Sequence, residues 1–211
     1  MPTDYKEIIS CFTKDDYTQN KVNLHIHTTY SDGKGDYRSI ADQAKKYGCK
    51  NIAITDHNTV QGHIDNSDLI GFVIPAVEFD VWYKYIFLHL LAYGIDINAE
   101  CMKKFYAKHK SETEKDIIRI LPKRNIKQLI SAIHKAGGIA VIAHPACCWA
   151  LNMDKFIKGL ADIGLDGMEI YYPYPRWRKY MKFAPIEKLE QIADKYGLIK
   201  TGGTDLHDVI L

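Results

Sequence analysis

The chain has 211 residues, of which 46% are hydrophobic and 26% are charged, a composition typical of a globular protein with a substantial core. Its formal net charge of +2 gives no global sign of nucleic-acid binding, so nucleic acid is not an expected partner. No apolar run approaches the roughly 18 residues of a membrane span, and the polar N-terminal segment is unlike a signal peptide. We therefore expect a cytoplasmic protein without a membrane partner. The five cysteines form no CxxC pair and predict neither a disulfide framework nor a thiolate zinc site.

Seven short apolar runs are typical of β-strands, and most are continuous enough for strands that are buried on both faces. They span residues 22–27, 51–55, 72–79, 85–93, 139–143, 166–171 and 198–202. Helical patterns lie between many of them, which predicts an α/β fold. Seven strands in one domain of this size favour a barrel over an open sheet. The link between residues 79 and 85 is short enough for a hairpin, so one strand pair should be antiparallel.

Three stretches have apolar residues at helical spacing and end at a glycine. Asp36 can cap the first of them. The apolar faces comprise Ile40, Ala41, Ala44 and Tyr47 before Gly48, then Ile126, Leu129, Ile130 and Ile133 before Gly137, then Ile186, Leu189, Ile192 and Ala193 before Gly197. Residues 95–124 break this rhythm and predict a small helical insertion within a single domain that spans 1–211. We expect its lysines, at positions 103, 104, 108 and 110, to form a solvated helix face.

Six histidines and three acidic residues lie in or just beyond the predicted strands. They are His25, His27, Asp32, His57, Glu78, His89, His144, Asp205 and His207. His25 and His27 are two residues apart in a strand, so both rings point to the same face. The C-terminal ends of barrel strands meet at one mouth, which would bring the other residues to this pair. Nine ligands are too many for one ion and suit two or three, and imidazole with carboxylate suits manganese, iron or zinc.

Such a centre has a clear chemical use. Divalent ions lower the pKa of a water so that hydroxide exists near neutral pH, and they neutralise phosphate oxygens. The sequence has neither a G-x-S-x-G motif nor a P-loop, so acyl-enzyme and NTPase mechanisms lack support.

The motifs that carry these residues resemble those of the PHP superfamily, the polymerase and histidinol phosphatase group of metal-dependent phosphoesterases. The matching segments are 24–33, 55–59, 75–79, 88–93, 143–145 and 203–207, so the resemblance runs from about residue 22 to residue 207, nearly the whole length of the chain. The resemblance implies a distorted (β/α)7 barrel and a trinuclear metal centre.

The resemblance also implies how the ligands divide among three ions. One ion would be held by His25, His27, Glu78 and Asp205. Glu78 would bridge to a second ion, which His89 and His144 would also hold, and Asp32, His57 and His207 would hold the third. All nine residues are therefore candidate catalytic and metal-ligating residues.

Three features depart from this family pattern. Asn23 stands where the family usually has aspartate, and the insertion between His89 and His144 is short. Cys147 follows His144 closely, in a segment where nucleotide-hydrolysing relatives tend to place an arginine near the phosphate. Arg176 and Arg178 are candidate replacements, because arginine is well suited to grip a phosphate group.

The resemblance implies hydrolysis of a phosphomonoester, a small nucleotide-like phosphorylated substrate, by metal-activated hydroxide. Histidinol-phosphate hydrolysis is one alternative, and a phosphodiesterase or exonuclease activity is another. An alternative of a different class is a metal-binding domain without turnover, since some proteins keep a fold and lose the reaction. The native metal and the oligomeric state stay open.

Overall fold

The structure is a computed structural model that describes residues 3–121, 124–174 and 184–211. Seven strands form one sheet in which the spatial order follows the chain order. They are β1 (Val22–Asn23), β2 (Asn51–Ile54), β3 (Val73–Tyr83), β4 (Ile86–Tyr93), β5 (Ile139–Ile142), β6 (Gly167–Tyr171) and β7 (Ile199–Gly202). Each overlaps one of the predicted apolar runs, although β1 is shorter than predicted and β3 continues to Tyr83 rather than ending at residue 79.

The sheet is mostly parallel, but β4 runs against both of its neighbours. The β1–β2, β2–β3, β5–β6 and β6–β7 pairs are parallel, whereas β3–β4 and β4–β5 are antiparallel. The predicted hairpin is therefore confirmed, and reversal of one strand makes the second antiparallel pairing unavoidable. The register places Asp80 of β3 opposite His89 of β4.

The first and last strands approach each other and nearly close the sheet into a barrel. Three backbone hydrogen bonds join them, from Leu24 N to Gly202 O at 3.1 Å, from His27 N to Leu206 O at 2.8 Å and from Leu206 N to His25 O at 3.3 Å. We call this junction the seam. Strand β1 ends at Asn23 rather than at the predicted residue 27 because the residues after Asn23 pair mainly with the loop that follows β7. The predicted distorted (β/α)7 barrel is confirmed.

Helices pack around the sheet. They are α1 (Tyr5–Ser10), α2 (Lys14–Thr18), α3 (Tyr37–Lys46), α4 (Gln61–Asp65), α5 (Glu100–Lys103), α6 (Ser111–Glu114), α7 (Asp116–Arg119), α8 (Ile126–Lys135), α9 (Met153–Ala161) and α10 (Ile186–Tyr196), with short 3-10 turns at Ser67–Leu69 and Pro145–Cys147. Within the described residues, no helix is both long and apolar enough to cross a membrane.

The three predicted helices correspond to α3, α8 and α10. The Asp36 side chain caps α3 by accepting a hydrogen bond from Ser39 N at 3.0 Å. Placing Tyr47 on the buried face was wrong, because it follows the last helical turn and is 62% exposed. Gly48 beyond it takes the left-handed conformation, at φ 74°, that ends many helices.

The segment predicted as an insertion contains the short helices α5, α6 and α7. Met102 and Phe105 are buried in the largest apolar cluster, together with Leu129 and Ile133 of α8. The four lysines predicted to form a solvated helix face, Lys103, Lys104, Lys108 and Lys110, are exposed, but only Lys103 lies in a helix. The insertion is therefore anchored to the barrel by apolar contacts and turns its lysines to solvent.

A capping contact outside the candidate site supports a pH-dependent prediction. Asp16 of α2 accepts hydrogen bonds from Thr13 N at 2.9 Å and Lys50 Nζ at 2.6 Å. The Lys50 ammonium, followed by the Thr13 amide, lowers the pKa of Asp16 to about 2. Since the ionised form is favoured in the folded protein, its contribution is complete above the unfolded pKa of about 4 and disappears as the pH falls toward 2.

We therefore expect Asp16→Asn to lower the free energy of unfolding by about 1 kcal/mol at pH 7. The difference from the parent should shrink steadily below pH 4. Urea unfolding at several pH values measures both quantities, with Asp15→Asn as the control, because Asp15 is an exposed carboxylate in the same helical turn. A difference that stays constant down to pH 2 would show that the charge of Asp16 has no role.

Candidate metal centre

The structure brings all nine predicted residues together at one end of the barrel. Seven of them line a cavity of about 510 Å³, namely Asp32, His57, Glu78, His89, His144, Asp205 and His207. His25 and His27 lie beneath it and are fully buried. The residues come from β3, β4 and the segments that follow β1, β2, β5 and β7. Convergence of strand ends at one mouth is therefore what assembles the site.

Glu78 lies at the centre of the cluster and is 1% exposed. Its Oε2 atom is 3.2 Å from His25 Nε2, 3.1 Å from His27 Nε2 and 3.5 Å from His57 Nε2. Its Oε1 atom is 2.9 Å from His89 Nδ1 and 3.5 Å from His144 Nε2. A carboxylate with imidazole nitrogens around both oxygens has the surroundings of a ligand that bridges two cations.

Three subsets place their candidate ligand atoms within 4.8 Å of one another. They are His27 with Asp32, His57 and His207, then His25 with His27 and Asp205, then His25 with Glu78 and His144. His27 thus belongs to two subsets, and His89 to none, although it contacts Glu78. The division of ligands implied by the family resemblance stays a prediction.

Unsatisfied polar atoms show that the cluster suits cations. His25 Nε2 and His27 Nε2 face each other at 3.1 Å, a distance that two unprotonated nitrogens tolerate only with a proton or a cation between them. Within the described part of the chain, several buried site atoms lack a hydrogen bond, including Glu78 Oε1, His57 Nδ1 and His144 Nδ1. Buried polar atoms without partners are costly, so the residues fit a site that divalent ions would complete.

The electrostatics of the protein alone point the same way. Burial disfavours the charged form of His25, but Glu169, Glu78 and Asp205 outweigh that effect and raise its pKa. Burial likewise opposes ionisation of Glu78, yet nearby imidazolium groups, His25 first, hold its pKa well below the usual range. The carboxylates thus favour positive charge on His25, and divalent cations would supply positive charge to the same carboxylates.

Backbone strain is concentrated at the same place. His144 and Asp205 have φ values of 28° and 51°, and Asn58, next to His57, has 56°. Few residues other than glycine adopt positive φ, and such strain is often found at functional sites. The fold holds these two candidate ligands in conformations that the chain would not choose alone.

Comparison with known proteins identifies the family. The sequence pattern of the PHP domain matches residues 23–163, well over half of the chain. The protein belongs to the PHP domain family. A protein of Methanocaldococcus jannaschii is 30% identical over 175 residues, covering 74% of this chain and 84% of that protein.

Two further similarities cover most of this PHP protein. The phosphoribosyl 1,2-cyclic phosphate 1,2-diphosphodiesterase of Eggerthella lenta is 22% identical over 256 residues, covering 88% of this chain and 93% of the relative. A solved structure from Bifidobacterium adolescentis, described as a metal-dependent phosphoesterase, has a TM-score of 0.70 at 21% identity, covering 89% of this chain and 88% of the other. At that identity, the structural match supports the fold alone.

The PHP site contains carboxylates that the sequence analysis did not select. Glu169 of β6 is fully buried, lies 2.9 Å from His25 Nδ1 and accepts a hydrogen bond from His144 N at 2.9 Å. Asp80 is also fully buried, and its Oδ1 is 3.2 Å from His89 Nε2. Carboxylates behind metal-ligating histidines fix the ring orientation and raise ligand basicity. An acidic residue within an otherwise apolar strand is the signal that could have found Glu169, and two-residue spacing from Glu78 is the signal that could have found Asp80.

Asp56 fixes the loop that carries Asp32. Its oxygens accept hydrogen bonds from Thr28 N at 2.7 Å, Thr28 Oγ1 at 2.7 Å and Ser31 Oγ at 2.6 Å. The Thr-Asp-His-Asn motif thus supplies both a candidate ligand, His57, and Asp56, which orders the loop that carries Asp32. Only His57 of this motif was predicted to belong to the site.

Asn23, which departs from the PHP pattern, links the two sides of the seam. Its Oδ1 accepts hydrogen bonds from His25 N at 3.2 Å and Thr204 N at 3.0 Å, and its Nδ2 donates to Thr204 Oγ1 at 2.7 Å. An aspartate could keep all three contacts, because the Thr204 hydroxyl could then donate to the second carboxylate oxygen. Asparagine makes the same junction without adding a negative charge beside His25.

Two other predicted features have different outcomes. Arg176 and Arg178 lie outside the described residues, so their role in phosphate binding stays a prediction. Cys147 lines the cavity beside His144, and Cys148 is buried.

His63 was not predicted to bind metal, and it lies in the core. Its ring contacts Tyr37 Oη at 2.8 Å and Ile54 O at 2.9 Å.

Proposed function

We propose that this chain, a metal-dependent phosphoesterase of the PHP family, hydrolyses the phosphomonoester of a small nucleotide-like molecule. The observation that carries the proposal is the convergence of six imidazoles and the carboxylates of Asp32 and Asp205 around Glu78 at the base of one cavity. Its volume of about 510 Å³ lies within the range of ordinary small-molecule sites. The proposed partner is therefore a small phosphorylated molecule, and a cytoplasmic location stays a prediction.

The candidate ligands would hold two or three divalent ions, with manganese, iron or zinc as the candidates for this donor set. When bound, such ions activate a water as the nucleophile and neutralise the oxygens of a phosphate group. The chain's own contribution is to position the ligands. Among the described residues, His25 and His27 are fully buried under the centre, whereas the other seven candidate ligands line the cavity. Tyr172, also on the cavity wall, donates a hydrogen bond to Asp205 Oδ2 at 2.9 Å and holds that carboxylate in place.

A phosphodiesterase activity is the second candidate. The similarity to the Eggerthella lenta diphosphodiesterase, which covers most of both chains, favours it. A monoester and a diester differ in charge, because a terminal phosphate carries close to two negative charges at neutral pH and an internal phosphate carries one. A cavity that also contains a guanidinium group, that of Arg119, suits the more highly charged monoester.

Phosphate release from a substrate panel tests the proposal. The panel contains nucleoside monophosphates, histidinol phosphate, a cyclic ribose phosphate and a short oligonucleotide, each with added manganese, iron or zinc. We expect release from the nucleoside monophosphates that falls by at least about 100-fold when a chelator removes the ions, since the metals carry the chemistry.

Each other outcome selects an alternative. Preferred release from histidinol phosphate would replace the nucleotide as substrate. Cleavage of the cyclic phosphate or of internal linkages, without monoester hydrolysis, would establish a diesterase. Bound ions with no turnover on any phosphoester would indicate a metal-binding domain. Asp205→Asn, tested in parallel, shows whether the activity belongs to this centre rather than to a contaminating phosphatase.

A further inference from the structure

Arg119 of the insertion lies in the wall of the metal-site cavity. Its side chain is only 7% exposed, although it belongs to the short helix α7 on the outside of the barrel. Among the described residues that line this cavity, it carries the one guanidinium or ammonium group. Burial of a charge is costly unless it is paired, and Arg119 is paired here with carboxylates that include the candidate ligand Asp32.

The existing partners of Arg119 leave part of its donor capacity free. Nη1 donates to Asp32 Oδ2 at 2.6 Å and lies 3.4 Å from Thr113 O. Nη2 pairs with Asp116, whose side chain is 81% exposed, so that contact is made largely in solvent. Nε is buried without a hydrogen bond and lies 3.8 Å from Asp80 Oδ1. A guanidinium has five N–H donors, so Nη2 keeps one N–H that an anion in the cavity could accept.

The position of Arg119 is fixed by contacts between the insertion and the barrel. The residue after His57, Asn58, donates from Nδ2 to Glu112 O at 3.0 Å and accepts at its backbone oxygen from Ala107 N at 2.8 Å. Trp82 Nε1, at the end of β3, donates to Ile120 O at 3.0 Å. These hydrogen bonds attach the insertion to both the second ligand loop and the β3–β4 hairpin. Arg119 is therefore held over the cavity rather than carried on a free surface loop.

We propose that Arg119 binds the phosphate group of the substrate and thereby favours a terminal, doubly charged phosphate. Guanidinium matches phosphate through two parallel hydrogen bonds, and it stays charged at every physiological pH. The segment after His144 contains Ala146, Cys147 and Cys148 and offers no cationic side chain there. The described lysines of the insertion are exposed, and Arg124 uses its guanidinium on the backbone oxygens of Phe105 and Asp80. Arg119 is therefore the described cation of this segment that lines the cavity. This inference rests on the proposed function and identifies the residue that would recognise the phosphate of the substrate.

Binding of inorganic phosphate to the metal-loaded protein tests the inference without requiring turnover. The variants are Arg119→Lys, Arg119→Gln and the control Lys115→Ala, which removes an exposed positive charge next to the same helix. Titration calorimetry gives the phosphate affinity, and elemental analysis gives the metal content. We expect Arg119→Gln to weaken phosphate binding by about 10-fold to 100-fold, the usual effect of losing hydrogen bonds to a charged group. Arg119→Lys should lose less, and Lys115→Ala should match the parent.

Steady-state kinetics on the best monoester add a second readout. Loss of phosphate recognition should raise KM, and the inhibition constant of phosphate should rise by the same factor while the metal content stays unchanged. A fall in metal content in both Arg119 variants would overturn the inference and make Arg119 a residue that positions Asp32. An unchanged phosphate affinity, or no phosphate binding by the parent, would also overturn it. Failure of the proposed function would be seen separately, as phosphate binding by the parent with no monoester hydrolysis.

Discussion

Glu78→Gln should remove bound metal and reduce phosphoester hydrolysis by more than about 100-fold while leaving the barrel folded. Glutamine has nearly the same shape, but it is neutral, and one carboxylate oxygen becomes an NH2 group that cannot ligate a cation. Both oxygens of Glu78 lie within 3.5 Å of imidazole nitrogens, so the substitution changes the charge and the ligand atoms at the middle of the cluster. Elemental analysis after dialysis, together with activity and circular dichroism, measures the three expected results.

Glu169→Gln is the matched comparison for that experiment. Glu169 is equally buried and contacts His25, but it lies behind the imidazole rather than beside the other ligands. Loss of a carboxylate in such a supporting position typically lowers metal affinity or activity by about 10-fold to 100-fold. We therefore expect Glu169→Gln to retain more metal than Glu78→Gln. Equal effects of the two substitutions would contradict a bridging position for Glu78.

Gly33→Ala should destabilise the protein by about 3 kcal/mol and disrupt the metal centre, because the new methyl group has no space. A Cβ atom at Gly33 would lie 2.4 Å from both His27 C and His27 O and 2.6 Å from Thr28 N. All three are backbone atoms, which cannot move aside as a flexible side chain would. The loop must shift instead, and that loop carries Asp32. Urea unfolding and metal content measure the two effects.

Gly48→Ala separates this crowding from the general cost of replacing a glycine. Gly48 has φ 74° at the end of α3, but nothing lies within 4 Å of the position that a Cβ atom would take. The expected cost is about 1–2 kcal/mol for the left-handed backbone alone, with no loss of metal. If Gly33→Ala retained full metal content, close contact of the loop with His27 would not be what places Asp32.

Much of the fold could be predicted from the sequence because its signals are local. Apolar runs bounded by turn residues mark the strands, and Asp36 and Gly48 mark the ends of one helix through hydrogen bonding and left-handed backbone geometry. The candidate ligands could be grouped because each lies in or near a strand, so a barrel brings together residues that are far apart in the chain. That the rings of His25 and His27 share one face could be predicted from the alternation of side chains along an extended segment alone.

What could not be predicted depends on contacts that leave no local pattern. Arg119 lies in a charged segment in which solvated residues are the rule, and only docking of the insertion on Asn58 turns it inward. Asp80, by contrast, could have been predicted from the sequence, since the two-residue spacing in β3 places its side chain on the same face as that of Glu78. Tyr47 has helical spacing but follows the last turn, and helix ends are the least certain part of any such prediction.

The seam gives the candidate metal centre a second consequence. His25 and His27 lie on the side of the seam that follows β1, whereas Asp205 and His207 lie on the side that follows β7. Few backbone hydrogen bonds join these two sides. An ion shared across the seam would act as a cross-link, so that ion affinity and closure of the barrel would strengthen each other by equal free energies. Chelators would then extract the ion at the rate of local opening rather than of global unfolding. The amides of residues 24–27 and 206 would be the first to exchange their hydrogens with solvent once the ion is gone.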